Sequence, residues 1–342
     1  MEDINQHIVP NSDILEDDIL KMSPSLLLEL LKDHSATRAT FSPEQVKAGN
    51  QVNIFWASDI YEQRYGKGKG FDYHDPITIE KITGENGHVV QPRVNKSKEE
   101  QEKRSRDKAE VFTPSWICNK QNNLVDNAWF GRENVFNTEI DNPDGSHDWI
   151  PTEGRIKFPN DPSKTWQKYV SDTRLEITCG EAPYLASRYD TITGNFIPLH
   201  KRIGLLDRKM RIVNENATDK NWWYYCKRAY QSTYGYDWQG DNVLLAREAL
   251  FFSFIEYYFD RFGEEPSKEK LQTIAYIISW NIWQMDGLKF VVPESGELSD
   301  LNILFAENKP IPCLVRDWFS SDKKTGKSFT DLPFYQLIES TK

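Results

Sequence analysis

Residues 174–190 constrain the fold more than any other stretch of the chain; their sequence is Arg-Leu-Glu-Ile-Thr-Cys-Gly-Glu-Ala-Pro-Tyr-Leu-Ala-Ser-Arg-Tyr-Asp. The pattern predicts a short strand, a tight turn through Cys179 and Gly180, and then the start of a helix. A strand that ends in a glycine turn is where an α/β sheet presents backbone N–H groups to a ligand. The sequence therefore predicts an α/β fold whose sheet carries a ligand site at this turn.

Two later segments also predict a strand that ends near an acidic residue. Residues 232–237 (Ser-Thr-Tyr-Gly-Tyr-Asp) predict a second strand that ends at Asp237, and residues 281–288 (Asn-Ile-Trp-Gln-Met-Asp-Gly-Leu) predict a third that ends near Asp286. A glycine turn permits close approach of a ligand, and carboxylates accept hydrogen bonds from hydroxyl and amino groups. Each motif is also common in ordinary turns, so the order of the three is what favours a shared site.

The chain is acidic, with a formal net charge of −10 over 342 residues. Because affinity for nucleic acid grows with the number of phosphates neutralised, this charge weighs against the chain binding a polyanion by itself. The mixed-charge segment 95–110 predicts an exposed helix. Its alternative interpretation is a local basic edge near DNA, formed by Lys103, Arg104 and Arg106.

The four cysteines, Cys118, Cys179, Cys226 and Cys313, are far apart and form no Cys-x-x-Cys pair. This spacing disfavours a zinc site, and a disulfide scaffold is not expected in a chain of this length. No apolar run is long enough to span a bilayer, and the acidic start is unlike a secretory signal. We therefore expect a cytoplasmic chain with no metal site and no membrane partner.

The length of the chain favours about two regions. We expect an N-terminal α+β region over residues 1–107, with a partly flexible start, and a second region over residues 108–342, with an irregular insertion near 137–168. The elements predicted besides the three strands are a helix at 26–31, a strand at 53–57, an extended segment at 76–82, buried helices at 244–262 and 271–280, and a terminal hairpin from 311–315 and 327–329.

Several motifs resemble those of a known group of enzymes. The segment Val111-Phe-Thr-Pro-Ser-Trp-Ile117 resembles the FTP motif that precedes the glycine motif in adenine-specific DNA methyltransferases of restriction–modification systems. Residues 235–248 resemble the second motif of that group and the helix after it. From about residue 50 to the end, the chain resembles the restriction endonuclease subunit M family, through residues 53–59, 82–85 and 278–288.

This resemblance implies a Rossmann-like class I methyltransferase sheet with an N-terminal α+β extension, and S-adenosyl-L-methionine as the cofactor. It implies that the FTP segment packs across the cofactor, that Asp237 accepts the ribose hydroxyls, that Trp238 lies on the adenine face and that Asp286 meets the adenine amino group. The cofactor-binding residues implied in this way are Phe112, Thr113, Pro114, Glu176, Thr178, Cys179, Gly180, Asp237, Trp238, Asp286 and Gly287. The implied partners are DNA and another restriction–modification subunit.

The chain departs from that group at the residues that perform catalysis. Adenine methyltransferases hold the target base with an [N/D/S]PP[Y/F/W] loop, and no such tetrapeptide occurs here. The nearest string is Asp331-Leu-Pro-Phe334, and Glu181 and Ala182 stand where the glycine motif has its second small residue. No catalytic residue is therefore assigned, and we expect a partner chain to supply the base-holding loop.

Two other functions remain open at this point. The chain could be a regulatory module that binds the cofactor without transferring a methyl group. It could also be a metal-dependent nuclease, because Asp300 with Glu307-Asn-Lys309 has the spacing of an Asp and a Glu-x-Lys triplet that hold a divalent ion. Residues 222–225 (Trp-Trp-Tyr-Tyr) are interpreted as core packing, with a base-stacking platform as the alternative.

Overall fold

The structure, a computed structural model, describes residues 16–108, 113–296, 309–321 and 328–339. Within these ranges the protein is a mixed α/β protein in which helices predominate. The helices are α1 (Glu16–Met22), α2 (Pro24–Leu31), α3 (His34–Thr40), α4 (Pro43–Lys47), α5 (Ile60–Tyr65), α6 (Ile79–Ile82), α7 (Lys98–Lys108), α8 (Ser115–Phe130), α9 (Trp166–Ser171), α10 (Leu205–Asn216), α11 (Asp219–Gln231), α12 (Gly240–Phe262), α13 (Lys268–Asn281) and α14 (Phe334–Glu339). The strands are β1 (Lys32–Asp33), β2 (Val52–Asn53), β3 (Asn137–Asp141), β4 (His147–Pro151), β5 (Arg174–Ile177), β6 (Thr233–Asp237), β7 (Ile282–Gln284), β8 (Leu314–Asp317) and β9 (Thr330–Pro333).

The central sheet contains three parallel strands in the order β5-β6-β7. Helices α10 and α11 connect β5 to β6, and α12 and α13 connect β6 to β7. Parallel neighbours need such long crossovers, which explains why the helices predominate. The three strands predicted from the sequence are therefore confirmed, and they are neighbours in the order of the chain.

Helices α12 and α13 form the centre of the hydrophobic core. Leu244, Phe251 and Phe254 of α12 are fully buried, as expected for a helix that is apolar all round. Helix α2 packs against both α12 and α13, so the N-terminal region shares one core with the central sheet. The helices predicted at 26–31, 244–262 and 271–280 are confirmed. A terminal hairpin is present, but its strands are β8 and β9, so its second strand begins at Thr330, after the predicted segment 327–329.

The segment after the Cys179–Gly180 turn does not begin a helix, contrary to the sequence prediction. Residues 181–190 form successive turns, and the next α-helix is α10. One local feature explains the difference: Ala182 has a left-handed backbone with φ 59°, which a right-handed α-helix does not contain.

Three shorter segments also differ from their predictions. The segment at 76–82 was expected to be extended, but it includes helix α6. The strand predicted at 53–57 is reduced to the end of β2 and a single bridge between Phe55 and Pro76. The irregular insertion contains the β3–β4 hairpin, which turns where Gly145 has φ 82°. Short hairpins of this kind depend on their turn residues, and Asp144-Gly145 is a favoured turn pair.

A buried histidine in the N-terminal region makes a testable contribution to acid sensitivity. The Nε2 atom of His34 lies 2.8 Å from the Ser279 hydroxyl, and its ring stacks on Trp280 with centroids 3.9 Å apart. Burial lowers the pKa of His34 from 6.5 to about 4, although Glu29 acts in the opposite direction. Between these values the unfolded chain binds more protons, so we expect stability to fall as the pH drops from 6.5 to 4, by up to about 3 kcal/mol.

Urea denaturation across this pH range, on wild type and on His34→Gln, measures this contribution. The variant is expected to show a shallower loss of unfolding free energy, because glutamine does not titrate. Asn50→Gln, which changes an exposed residue that does not titrate, serves as the control and is expected to keep the wild-type slope. Identical slopes for wild type and His34→Gln would contradict the prediction.

Candidate cofactor site

The carboxyl ends of β5, β6 and β7 meet at one edge of the central sheet. Ile177 pairs with Tyr236, and Asp237 pairs with Gln284, so the three strands end side by side. The predicted residues that follow these strands lie in a row along this edge: Thr178, Cys179 and Gly180, then Asp237 and Trp238, then Asp286 and Gly287. In an open α/β sheet, ligands bind at this edge.

The turn after β5 is strained. Thr178, Gly180 and Ala182 all have positive φ, at 47°, 52° and 59°. For a β-branched residue such as threonine this conformation is rare, and residues held in it cost about 1 to 3 kcal/mol each. The turn is held by two hydrogen bonds from backbone N–H groups, Cys179 to the Tyr236 oxygen at 2.8 Å and Gly180 to Asp237 Oδ2 at 2.9 Å. Strain that is held in this way is typical of ligand-binding loops.

Asp237 connects the ends of β5 and β6. Its Oδ2 accepts the hydrogen bond from Gly180, and its Oδ1 accepts from the Gln239 N–H at 3.0 Å and from the Asn242 amide at 3.3 Å. Its side chain is largely buried. The carboxylate is thus fixed in place by neighbouring donors, and a ligand hydroxyl at Asp237 would share it with the N–H of Gly180.

Glu176 has a buried oxygen that lacks a donor. Its Oε1 accepts a long hydrogen bond from the Tyr184 N–H at 3.4 Å, while Oε2 has no hydrogen-bond partner among the described residues. Burial raises the pKa of Glu176 well above its ordinary value. Buried polar atoms are normally satisfied, so this oxygen marks a place where a donor from a ligand fits.

The N-terminal region contributes residues to this edge that the sequence did not predict. The Gln284 side chain accepts from the Phe55 N–H at 3.0 Å and donates to the Phe55 oxygen at 2.9 Å and to the Trp238 oxygen at 2.8 Å. The indole of Trp238 donates to the Tyr73 hydroxyl at 3.0 Å. These contacts join residues far apart in the chain, and no local pattern signals them.

Asp286 and Gly287 have structural roles of their own. Asp286 Oδ1 accepts from the N–H groups of Leu288 at 2.9 Å and Lys289 at 3.1 Å, which closes the turn after β7. A Cβ added to Gly287 would lie 2.8 Å from the Tyr236 ring, so the close approach requires glycine. Asp286 therefore has the role of an ordinary turn residue. A contact with the adenine amino group would have to use the same carboxyl group.

The predicted FTP segment is described only from Thr113 onward, and Phe112 lies outside the described residues. The Thr113 oxygen accepts from the Thr191 hydroxyl at 2.9 Å, and the Ser115 N–H donates to Asp190 Oδ2 at 2.9 Å. Thr113 and Pro114 are therefore held against the loop that follows the glycine turn. The structure brings together two segments that these contacts show to be 75 to 78 residues apart in the sequence.

Helix α7 is confirmed where the charged segment predicts a helix, but Arg104 does not form a basic edge near DNA. Its side chain is fully buried, and its Nη2 lies 2.7 Å from Asp241 Oδ2 in the first turn of α12. Burial alone would raise the pKa of Asp241, but Arg104 and then Lys96 lower it to about 2. Arg104 thus joins α7 to the loop after β6, because the buried carboxylate needs a cation.

The string Asp331-Leu-Pro-Phe334 is not a base-holding loop. Asp331 lies in β9, where its Oδ1 is 2.6 Å from Arg316 Nε and its Oδ2 is 2.6 Å from Arg38 Nη2. The Phe334 ring is buried against Trp283 and Tyr236. A paired carboxylate and a buried ring cannot hold a target base, so these residues support the terminal hairpin.

Other predicted candidates are placed as follows. Burial raises the pKa of the Cys179 thiol well above its ordinary value, which disfavours a thiolate nucleophile. In segment 222–225, Trp222 is fully buried and Trp223 and Tyr225 pack partly buried against the core, whereas Tyr224 is half exposed, so packing is observed for three of the four residues. Asp300 and Glu307, the nuclease candidates, lie outside the described residues. Within the described ranges, no three His, Cys, Asp or Glu side chains are grouped so that they could hold a metal ion.

The described helices include none that is both long and apolar enough to cross a membrane. No family model matches the chain, and no match was found among curated proteins or solved structures.

Proposed function

We propose that this chain binds S-adenosyl-L-methionine at the carboxyl edge of the β5-β6-β7 sheet, as a component of a DNA restriction–modification system. The observation that carries the proposal is the meeting of Glu176, the strained turn and Asp237 at this edge. A parallel sheet with a glycine turn after its first strand and an acid after its second is the arrangement used for adenosine-containing ligands. The motif resemblance supplies the identity of the cofactor and the link to DNA.

Each part of the cofactor has a complementary group in this proposal. Oε2 of Glu176 suits the ammonium group of the methionine part, because a cation at this position would favour the ionised carboxylate that burial alone disfavours. Asp237 suits the ribose hydroxyls, because a carboxylate accepts two of them at once. Trp238 and Asp286 suit the face and the amino group of adenine. Thr113 and Pro114, held near the turn, suit a contact across the bound cofactor.

A partner chain is part of the proposal because the sheet ends abruptly at β5. Among the described residues β5 is an edge strand, and its apolar side chains Leu175 and Ile177 are 40% and 62% exposed. Parallel sheets are normally covered on both faces, and an exposed apolar edge is a template for a strand from another chain. A strand added at this edge would end beside Thr178, where a base-holding loop is needed.

Isothermal titration calorimetry with S-adenosyl-L-methionine tests the cofactor site. Wild type is expected to bind, and Asp237→Ala is expected to bind at least about tenfold more weakly, because each lost hydrogen bond to a charged group is worth about 1.5 to 3 kcal/mol. Asp237→Asn, which keeps one acceptor oxygen, is expected to fall between the two. No binding by wild type at millimolar cofactor would refute the proposal.

The matched control for this titration is Asp161→Ala. Asp161 also accepts from a backbone N–H, that of Ser163 at 2.8 Å, but it lies in an exposed loop. It is expected to leave cofactor affinity unchanged. A methyl-transfer assay on DNA, with the chain alone and with a candidate partner subunit, then separates an active enzyme from a regulatory module, because only the enzyme transfers the methyl group.

A further inference from the structure

A cleft of about 640 Å³ lies between the tip of the β3–β4 hairpin, the start of α8 and the loop after Asp190. Its volume is typical of sites that bind small molecules or single side chains, which span about 300 to 1,000 Å³. The cleft shares Pro114 with the segment proposed to contact the cofactor, but it does not include the ends of β5, β6 and β7. Four aromatic side chains line it: Trp116, His147, Trp149 and Phe196.

The charged groups of the lining carry an excess of negative charge. Asp148 and Asp190 supply two carboxylates, and Lys201 supplies one ammonium group, which lies 3.5 Å from Asp148 Oδ2. The imidazole of His147 has a counterion of its own, because its Nδ1 lies 2.7 Å from Asp141 Oδ1. The charge of Asp190 is therefore left over, and it repels an anion and attracts a cation into the cleft.

Asp190 is an ionised carboxylate whose donors are neutral groups. Its Oδ1 accepts from the N–H groups of Ile192 at 3.0 Å and Thr193 at 2.8 Å, and its Oδ2 accepts from the Ser115 N–H at 2.9 Å. Burial alone would raise the pKa of Asp190, but these hydrogen bonds lower it, so the group is charged at neutral pH. Within the described part of the chain, no Lys, Arg or His forms an ion pair with it. A carboxylate oxygen accepts about two hydrogen bonds, which leaves Oδ2 able to take a donor from a cation.

The aromatic walls suit a planar cation. A cation within about 6 Å of a ring centroid is attracted to the face of the ring, and a guanidinium also stacks on it. The protein uses this interaction beside the cleft, where the guanidinium of Arg202 lies 5.4 Å from the Phe196 centroid. The rings of Trp116 and His147 stack with centroids 3.8 Å apart, so this wall is ordered before a ligand arrives. Such order reduces the entropy lost on binding.

We propose that this cleft binds a guanidinium group, whose N–H groups donate to Asp190 and whose plane lies against the aromatic side chains. The inference is independent of the cofactor proposal, because it rests on the lining of the cleft alone. A guanidinium carries five N–H donors in one plane, so its edge meets a carboxylate while its face meets a ring. A quaternary ammonium has no N–H for the Asp190 carboxylate. The group belongs either to an arginine side chain of a partner protein or to a free arginine derivative.

A ligand-observed NMR titration of the full wild-type chain with N-acetyl-L-argininamide tests the site. The matched ligand is N-acetyl-L-citrullinamide, in which a neutral urea replaces the guanidinium. Wild type is expected to bind the arginine compound at least about tenfold more tightly, because hydrogen bonds between charged groups are roughly twice as strong as neutral ones. Added salt is expected to weaken this binding by screening Asp190. Equal affinity for the two compounds, or no binding of the arginine compound at about 20 mM, would overturn the proposal.

Two variants locate the bound group. Asp190→Asn removes the charge and keeps one acceptor oxygen, and Trp116→Leu removes a ring; each is expected to raise the dissociation constant for N-acetyl-L-argininamide by about threefold to tenfold. Asp161→Asn is the matched control, because Asp161 also accepts from a backbone N–H but lies outside the cleft, and it is expected to bind like wild type. Wild-type affinity in an Asp190→Asn variant with the native circular dichroism spectrum would contradict the assignment.

Two further ligands identify the source of the guanidinium. A capped pentapeptide with a central arginine that binds about tenfold more tightly than N-acetyl-L-argininamide would assign the cleft to an arginine side chain of a protein. Equal affinity would assign it to a free arginine derivative. Tighter binding of N-acetyl-L-lysinamide than of the arginine compound would overturn the choice of a guanidinium. A chain that binds the arginine compound but not S-adenosyl-L-methionine would support the cleft and refute the cofactor site.

Discussion

Replacing Arg104 by methionine is expected to lower the free energy of unfolding by about 3 kcal/mol. The Arg104 guanidinium and the Asp241 carboxylate are both fully buried, with Nη2 and Oδ2 2.7 Å apart. Removal of one partner of such a pair leaves an undercompensated charge in the interior, which typically costs about 3 to 5 kcal/mol. We expect the low end of that range because Lys96 remains 3.5 Å from Asp241 and Tyr61 still donates to it.

Urea denaturation of Arg104→Met and of Lys103→Met measures this effect on matched variants of one helix. Lys103 is less buried, so its replacement is expected to change the stability by less than about 0.5 kcal/mol. The pairing holds the pKa of Asp241 at about 2, below its ordinary 3.8, so it contributes stability above pH 4 that is lost as the pH falls toward 2. The difference in unfolding free energy between wild type and Arg104→Met is therefore expected to become smaller as the pH falls from 4 to 2.

A loss below about 1 kcal/mol in Arg104→Met at neutral pH would contradict this account. It would mean that Lys96 and Tyr61 are enough to compensate the buried charge of Asp241. It would also mean that the packing of α7 against α12 does not depend on Arg104. If the difference in unfolding free energy between wild type and Arg104→Met stayed constant down to pH 2, the contribution of Arg104 to stability would not depend on the charge of Asp241.

Gly240→Ala is expected to destabilise the chain by about 3 kcal/mol, although alanine normally favours a helix. Gly240 is the first residue of α12, and a Cβ there would lie 2.0 Å from the Phe55 oxygen. The same carbonyl accepts from Gln284, and the Gly240 N–H donates to the Trp56 oxygen at 3.2 Å. Because the obstacle is backbone that is itself hydrogen-bonded, the clash cannot be relieved by a side-chain rotation.

Thermal and urea denaturation of Gly240→Ala, with Gly263→Ala as control, measures the cost of this close approach. Gly263 follows the end of the same helix with φ 66° and has open space around its Cβ position, so its replacement is expected to cost only about 1 kcal/mol. Equal stability of the two variants would show that residues 53–57 can shift to make room for the added Cβ at little cost in free energy. Affinity for the cofactor is expected to fall in Gly240→Ala and to stay unchanged in Gly263→Ala. Phe55 lies against the end of β7, so a displacement of Phe55 would disturb the proposed cofactor site.

The elements nearest to the core could be predicted from the sequence because their patterns are local. The apolar run of α12 fixes a buried helix, and residues 232–237 fix a buried strand that ends at Asp237. The order of three strand ends also indicated a shared edge, and the structure places Gly180 and Asp237 in hydrogen-bond contact there. Strand ends converge in this way whenever parallel neighbours follow one another along the chain.

Residues whose roles depend on distant partners could not be predicted in this way. Arg104 looked like a surface cation within a charged helix, yet the buried Asp241 determines its position. Asp331 lies in the string nearest to a base-holding loop, yet Arg38 and Arg316 bind its carboxylate. In both cases the residue type suits two environments, and a contact across the chain selects one.

The sequence by itself determined the parallel strands, the core helices and the glycine turn, because hydrophobic period and turn residues act over a few positions. Only the tertiary structure decided that the turn is strained, that Phe55 joins the end of β7, that Glu176 keeps an unpartnered oxygen and that β5 is left exposed. Those properties depend on burial and on hydrogen bonds between residues far apart in the chain, and no local pattern of residues encodes them.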